Sequence, residues 1–267
     1  MKLTLPSQWE EVGQDAGSTW YLDPVVAKQK GDLNLELIQR WSFGKKVETF
    51  LKTDVFEEAN GGDELMSRLF PDAERAVGID VSWSTARGAA KRNGLASASY
   101  FATDVRQLAL RSGSMDAVVS TSTLDHFDSK REIRESLREL ARVLRPGGYL
   151  IVTLDNPQNL LFPLLRWISR RPGAPFPLGS TLSLEELNRE LTEAGFAVEA
   201  NDWLIHNPRL VSTVMFLALR RLLGEKADWP IEWLLWLFAQ LRKLPTRRYS
   251  ACFVAALARK PEPVRED

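Results

Sequence analysis

The sequence predicts an α/β fold: a doubly wound, mostly parallel sheet with an appended helical C-terminal region. Three observations carry this. Short apolar strand patterns alternate with amphipathic helical ones between residues 44 and 155. The run "YLIVTL" (149–154) is apolar on both faces, as a strand buried inside a parallel sheet requires. Aspartates close successive strand patterns at Asp80 and Asp104, the ends where ligands sit in open α/β sheets.

Each element has its own signal. Residues 24–43 place Val25, Val26, Leu33, Leu35, Leu37, Ile38 and Trp41 at helical spacing, and Gly44 marks the stop. Strand patterns follow at 47–53, 75–79, 97–102, 117–120 and 149–154, and helix patterns at 63–70, 84–92, 130–144 and 183–194. Right-handed crossovers between them put helices on both faces of the sheet. Helix 130–144 has Ser129 or Asp128 as its cap and "RPGG" as its stop; helix 183–194 opens on a Ser183/Glu186 capping box. Beyond Asp155 the texture shifts to proline-rich, basic sequence, then two strongly apolar helical stretches (210–223 and 231–241) and a final strand within "YSACFVAALA". The expected organisation is an N-terminal helical cap (1–43), a cofactor-binding core (44–155), acceptor-side helices with the last strands of the same sheet (156–260), and a flexible tail (261–267).

Composition narrows the function. Lysine plus arginine equals aspartate plus glutamate, 35 each, so no global field draws nucleic acid, and no nucleic-acid partner is expected. The lone cysteine, Cys252, forms no intrachain disulfide and no cysteine cluster for zinc; no metal is expected. With no basic-then-apolar leader at Met1, a cytoplasmic setting is the expectation. No apolar run reaches the ~18 residues of a membrane span.

The candidate site residues lie at strand ends. A carboxylate at Asp80 suits the two hydroxyls of a ribose, with a helix cap as the competing reading. Asp104, with Val105 behind it, suits an adenine amino group and ring face, although turn formation explains an isolated aspartate equally well. "MDAVVSTSTLDHFDS" runs an apolar strand into Thr121, Asp125 and His126. His126 is the candidate general base, and packing is its structural alternative.

Taken in order, "GIDVS", "ATDVRQL", "LDHF" and "LRPGGYLIVTLDN" resemble the class I S-adenosylmethionine-dependent methyltransferases over residues 44–155. The resemblance implies a seven-stranded, Rossmann-like sheet that binds S-adenosyl-L-methionine at its strand ends and releases S-adenosyl-L-homocysteine. Asp80 would hold the ribose and Asp104 and Val105 the adenine, with Val81 and Thr121 also among the cofactor-binding residues. The departure is "LKTDVFEEANGGDEL" (51–65), where the family's glycine-rich loop belongs. Fitting Asp54 to that loop's acid puts Phe56, Glu58 and Asn60 at glycine positions, and side chains there forbid the same backbone path. Either the pocket is filled and the chain is a scaffold, or the loop wraps the cofactor by another route through Thr53, Asp54 and a turn at Gly61 and Gly62. The second is favoured, because so many polar groups are costly to bury without partners. The sequence also resembles a bacterial branch in which a "LKTD-F-EA" segment replaces the glycines, with "WYLDP", "DNPQN", "IHNPR" and "PTRRYSACFVA" recurring outside the core.

On the acceptor side the candidates are Asn156, His206, Arg209 and Tyr249. Five of the nine tryptophans fall from Trp167 onward, where arginines border apolar runs. Three readings stand open there: a lid over a hydrophobic acceptor, peripheral contact with a membrane surface, and plain packing on the sheet or in a homodimer. The expected function is methyl transfer to a small or lipid-like acceptor, oxygen favoured. A non-catalytic binding or scaffolding protein and a nicotinamide-dependent oxidoreductase are the rivals.

Overall fold

A computed structural model describes residues 9–11, 23–42, 44–61, 65–92, 95–171 and 178–263. Gly62 and the tail from 264 lie outside them. Seven strands form one sheet: β1 (Thr49–Thr53), β2 (Arg75–Asp80), β3 (Ala98–Ala102), β4 (Met115–Thr121), β5 (Leu144–Asp155), β6 (Ala197–Leu204) and β7 (Phe253–Arg259). Their spatial order is β3-β2-β1-β4-β5-β7-β6. The first five are parallel; β7 is antiparallel to both β5 and β6. The order reverses between β1 and β4, so the crevice of a doubly wound sheet opens beyond the ends of these two strands.

The helices in chain order are α1 (Pro24–Ser42), α2 (Phe56–Asn60), α3 (Met66–Leu69), α4 (Trp83–Arg92), α5 (Lys130–Val143), α6 (Phe162–Ser169), α7 (Leu184–Glu193), α8 (Arg209–Leu223), α9 (Asp228–Ala239) and α10 (Arg247–Ser250). Alternating strand residues face two cores. Leu51, Val118, Leu150 and Val152 meet Ile133, Leu137 and Leu140 of α5 and Leu187 and Leu191 of α7. Phe50, Ala117, Val119 and Ile151 meet Leu37 and Ile38 of α1 and Met66 and Leu69 of α3. A third cluster joins Phe216 of α8 to Ile231 and Leu235 of α9 and reaches Val25 and Val26 of α1. Arg220 ties this pair to the start of α1 through Asp23 and to α9 through Asp228, at 2.9 and 2.6 Å.

Where boundaries differ from the sequence expectation, side chains explain most of the shift. β1 starts at Thr49 rather than Val47 because Asp116 Oδ2 accepts the amides of both Glu48 and Thr49 at 2.7 Å. "RPGG" does not merely stop α5; the chain enters β5 directly at Leu144, and Gly147 takes φ 77° within it. Of the expected helix 63–70, the described residues form the single turn α3. α10 replaces the first residues of the expected last strand. The Ser183/Glu186 box forms as expected, with the Glu186 amide donating to Ser183 Oγ at 3.2 Å.

One buried interaction organises the segment after β1. Lys52, in the middle of that strand, is 1% exposed and pairs with Glu58 of α2, 0% exposed, at 2.9 Å. Its ammonium also donates to the Asp54 carbonyl at 2.5 Å. The other Glu58 oxygen accepts the amides of Leu65 and Met66 at 3.1 and 3.0 Å. Burial alone would lower the Lys52 pKa, but Glu58, Glu57 and Asp54 together override it and the net shift is upward. Removing one partner of such a pair leaves an uncompensated buried charge. Glu58→Ala is therefore expected to destabilise the fold by about 3–5 kcal/mol, measured by denaturant unfolding.

Candidate active site

The site begins at the carboxyl ends of β1 and β2. Asp54 follows β1 with φ 85°, a left-handed conformation that aspartate tolerates better than most residues. Its amide donates to the Ile79 carbonyl at 2.7 Å, and its Oδ1 accepts the Phe56 amide at 2.8 Å, which starts α2. This is how the segment turns without the glycine-rich path: one aspartate takes the positive φ, and its own carboxylate accepts the first amide of the helix that follows. Gly61 serves elsewhere. It ends α2 with φ 74°, and a Cβ there would run into the Arg92 guanidinium.

Asp80 closes β2. Its Oδ1 accepts the Ser82 amide at 2.8 Å and its Oδ2 the Val55 amide at 3.3 Å. Ser82 Oγ then accepts the Thr85 amide at 3.1 Å at the start of α4, so Ser82 is the cap of that helix. Each Asp80 oxygen keeps spare acceptor capacity. Val81 follows, half-buried.

Thr53 is buried, and its hydroxyl joins β1 to β4 through Ser120 Oγ at 2.8 Å and Thr123 Oγ1 at 2.9 Å. Thr121 ends β4 half-buried. Asp104 is buried in a forked pair with Arg106, which bonds Glu132 as well. Val105 packs in the sheet core.

The electrostatics at β1 and β2 are lopsided. Burial, then Glu57 and Asp80, hold the Asp54 carboxyl well above its usual range, against a smaller opposing pull from Lys52. Burial likewise pushes Asp80 up to about 6. Burial would lift Glu57 too, but Lys30, paired with it at 2.7 Å, and Lys52 hold it down at about 2. Three carboxyl groups thus crowd a partly desolvated corner with negative charge to spare. Such a corner suits a ligand that carries positive charge and hydroxyl donors.

The second half of the site lies at the ends of β4 and β5. Asp125 is buried; its Oδ2 accepts from Ser122 Oγ at 3.1 Å and the Asp155 amide at 2.6 Å, while Oδ1 has no partner. His126 Nδ1 is also buried without a partner, and the ring meets Trp9 edge-on at 4.7 Å. Next to Trp9, Glu10 accepts from Ser82 Oγ at 2.9 Å and from Ser84 Oγ. Residues 9–10 therefore link the end of β2 to the end of β4 across the crevice. Neither contact was foreseen from sequence, since nothing in "WEE" signals a distant partner.

The acceptor-side candidates are mostly committed to the fold. Asn156, fully buried, donates to the Arg248 and Ala251 carbonyls at 2.7 and 3.0 Å and accepts the Gln158 amide. Arg209 pairs with Asp155 and stacks over Phe253 at 4.5 Å. His206 Nδ1 meets Ser250 Oγ at 2.9 Å, Nε2 is buried without a partner, and burial lowers its pKa. Tyr249 is on the surface, its hydroxyl accepting from Arg248 at 2.6 Å. The cavity bordered by Arg209, Cys252 and Phe162 measures about 10 Å³, the volume of a single water. A broader surface cleft of about 660 Å³ runs along α6 past Arg166, Trp167 and Arg170. No cluster of metal-binding side chains occurs among the described residues.

Residues 59–152 match the family model of the methyltransferase domain. That match identifies a methyltransferase domain over about a third of the chain, and the fold around it is that of the class I S-adenosylmethionine-dependent methyltransferases. Among curated proteins, a mouse tRNA (carboxymethyluridine(34)-5-O)-methyltransferase, ALKBH8, is 43% identical over 49 residues; these are 18% of this chain and only 7% of that protein. Among solved structures, phosphoethanolamine N-methyltransferase 2 of Haemonchus contortus superposes with a TM-score of 0.63 at 17% identity, covering 96% of this chain and 58% of the other. N-methyltransferase NodS of Bradyrhizobium japonicum WM9, in complex with S-adenosyl-L-homocysteine, gives 0.58 at 16% identity over 98% and 100%. At these identities the superpositions show the shared fold, that of the class I methyltransferases. The cofactor of this superfamily is S-adenosylmethionine, and the surplus of negative charge around Asp54 and Asp80 fits its sulfonium, ammonium and ribose hydroxyls.

Because Asp80 has a higher pKa folded than unfolded, the folded state binds more protons between pH 3.8 and about 6. Its contribution to stability is therefore lost as pH rises through that window. Asp80→Asn is expected to remove this slope, so the thermal midpoint of the wild type should fall relative to the variant as pH is raised from about 4 to about 6.

Proposed function

We propose that the chain transfers a methyl group from S-adenosylmethionine to a small or lipid-like acceptor, with oxygen the favoured atom. The observation that carries this reading is the crowding of Asp54 and Asp80 at the ends of β1 and β2, beside the switch point of a β3-β2-β1-β4-β5-β7-β6 sheet, where both keep spare acceptor capacity and repel one another. Residues 44–155 would bind the cofactor, residues 156–260 would face the acceptor, and the N-terminal segment 1–43, which includes α1, would cap the site. A nicotinamide-binding sheet runs 3-2-1-4-5-6, whereas here an antiparallel β7 stands between β5 and β6. This favours methyl transfer over hydride transfer.

When bound, the cofactor supplies an electrophilic methyl on a sulfonium. The chain's own task is then to align the acceptor and exclude water. Asp80 would hold the ribose hydroxyls. Asp54, Thr53 and Val81 would border the same corner, with Thr121 at the end of β4. Asp104 and Val105 would lie on the adenine side; Asp104 is occupied by Arg106, so adenine would be met there chiefly by shape. Gly61 would contribute only by ending α2. His126 is the group best placed to take a proton from an acceptor hydroxyl, with Nδ1 unpaired and Trp9 bracing the ring. His206, with a free Nε2, and Arg209 would shape the acceptor side, supported by Asn156 and Tyr249. The equal numbers of acids and bases favour a small acceptor over a nucleic acid. No helix among the described residues is long and apolar enough to cross a membrane. A cytoplasmic protein in peripheral contact with a membrane, as monomer or homodimer, is the setting proposed.

Two variants test this. Asp80→Ala should weaken S-adenosylhomocysteine binding by more than roughly tenfold, the loss of about one charge-assisted hydrogen bond, and calorimetry showing unchanged affinity refutes the role. If the wild type binds neither cofactor nor product, the chain is the non-catalytic relative instead. His126→Ala should slow methyl transfer from radiolabelled cofactor to a panel of hydroxyl-bearing amphiphiles by roughly a hundredfold while sparing cofactor affinity; full activity would leave His126 a packing residue.

A further inference from the structure

Helix α9 is apolar on two opposite faces. Ile231 and Leu235 are buried against α8 and α1. Trp229, Trp233 and Trp236, spaced four and three residues apart, share the other face at 74%, 50% and 59% exposure, with Leu237 at 44% beside them. Three tryptophans in water on one helix face are a large apolar surface with nothing to cover it. The segment that follows is basic: Arg242, Lys243, Arg247 and Arg248 are all exposed, and none has a carboxylate partner among the described residues. In the sequence no acid occurs between Glu232 and Glu262.

We infer that this surface docks on an anionic lipid bilayer, with the α9 tryptophans at the headgroup level and the basic segment on the lipid phosphates. The inference deepens the membrane-peripheral placement proposed above and rests on it for its link to a lipid-like acceptor. Tryptophan is the side chain that suits such a boundary, since its ring is apolar and its N–H needs a polar neighbour. Cations beside it gain from the negative surface potential of the membrane. A second copy of the chain is the poorer occupant. A twofold interface is self-complementary, and pairing this face with itself would set the same unpaired cations against one another. Spanning is not the mode, because α9 is only 12 residues long.

Flotation of the full chain with phosphatidylcholine vesicles, with and without phosphatidylglycerol, tests the inference. The wild type is expected to float with the anionic vesicles, with a blue shift in tryptophan emission. The Trp229→Ser, Trp233→Ser, Trp236→Ser triple variant should stay in solution. Arg242→Glu with Lys243→Glu should reduce partitioning by roughly tenfold or more, and raised salt should act in the same direction. An unchanged melting midpoint shows that each variant remains folded. No flotation of the folded wild type overturns the inference, as does a concentration-dependent dimer in sedimentation that the tryptophan variant abolishes without any vesicle binding. Loss of S-adenosylhomocysteine binding would sink the methyltransferase reading alone and leave the flotation result standing.

Discussion

The ammonium of Lys52 holds together everything that follows β1. It reaches the Asp54 carbonyl at the turn and the Glu58 carboxylate one helical turn later. Through the second oxygen of Glu58 it also fixes the amides of Leu65 and Met66, where α3 begins. A glycine-rich loop lets the backbone approach a ligand because nothing obstructs it. Here the backbone is held from beneath, by a charge pair inside the sheet layer. The same ammonium offsets part of the repulsion between Asp54, Glu57 and Asp80, so those carboxyl groups can share one corner. The fold and the site's charge therefore depend on the same side chain.

Much of the architecture was legible because it rests on periodicity and local chemistry. The α5 and α7 patterns, their serine caps and the twice-apolar β5 depend on residues close in sequence; both helices lie near their expected bounds, and the expected 149–154 forms the second half of a longer β5. Aspartates closing successive strands were legible for the same reason. The arrangement after β1 was not. The residue types say that these polar groups are costly to bury but not what partners them, and only the packing of α2 reveals that Lys52 is buried with Glu58. The expectation that these polar groups need a ligand rested on the cost of leaving them unpaired. Lys52, Thr53 and Glu58 in fact find their partners within the chain, so the case for a ligand passes to Asp54 and Asp80. Pairings such as Asp104 with Arg106 involve neighbours in sequence, yet residue types alone do not say whether an aspartate faces its neighbour or a ligand.

The polar groups near the crevice divide by whether their bonding capacity is spent. Asn156, with three bonds to the chain, and Arg209, with its carboxylate and ring, have little left for an acceptor; they fix the end of β5 against α8 and the β7 approach. Asp125 Oδ1, His126 Nδ1 and His206 Nε2 are different, because each is buried and unpaired. An unpaired buried polar atom costs about 1–3 kcal/mol, and a fold tolerates that cost most readily where a ligand or water restores the bond. Two of the three belong to adjacent residues at the end of β4, directly beneath the Trp9 contact. The strap of residues 9–10 thus covers the place where unspent capacity is concentrated, and it grips both β2 and β4.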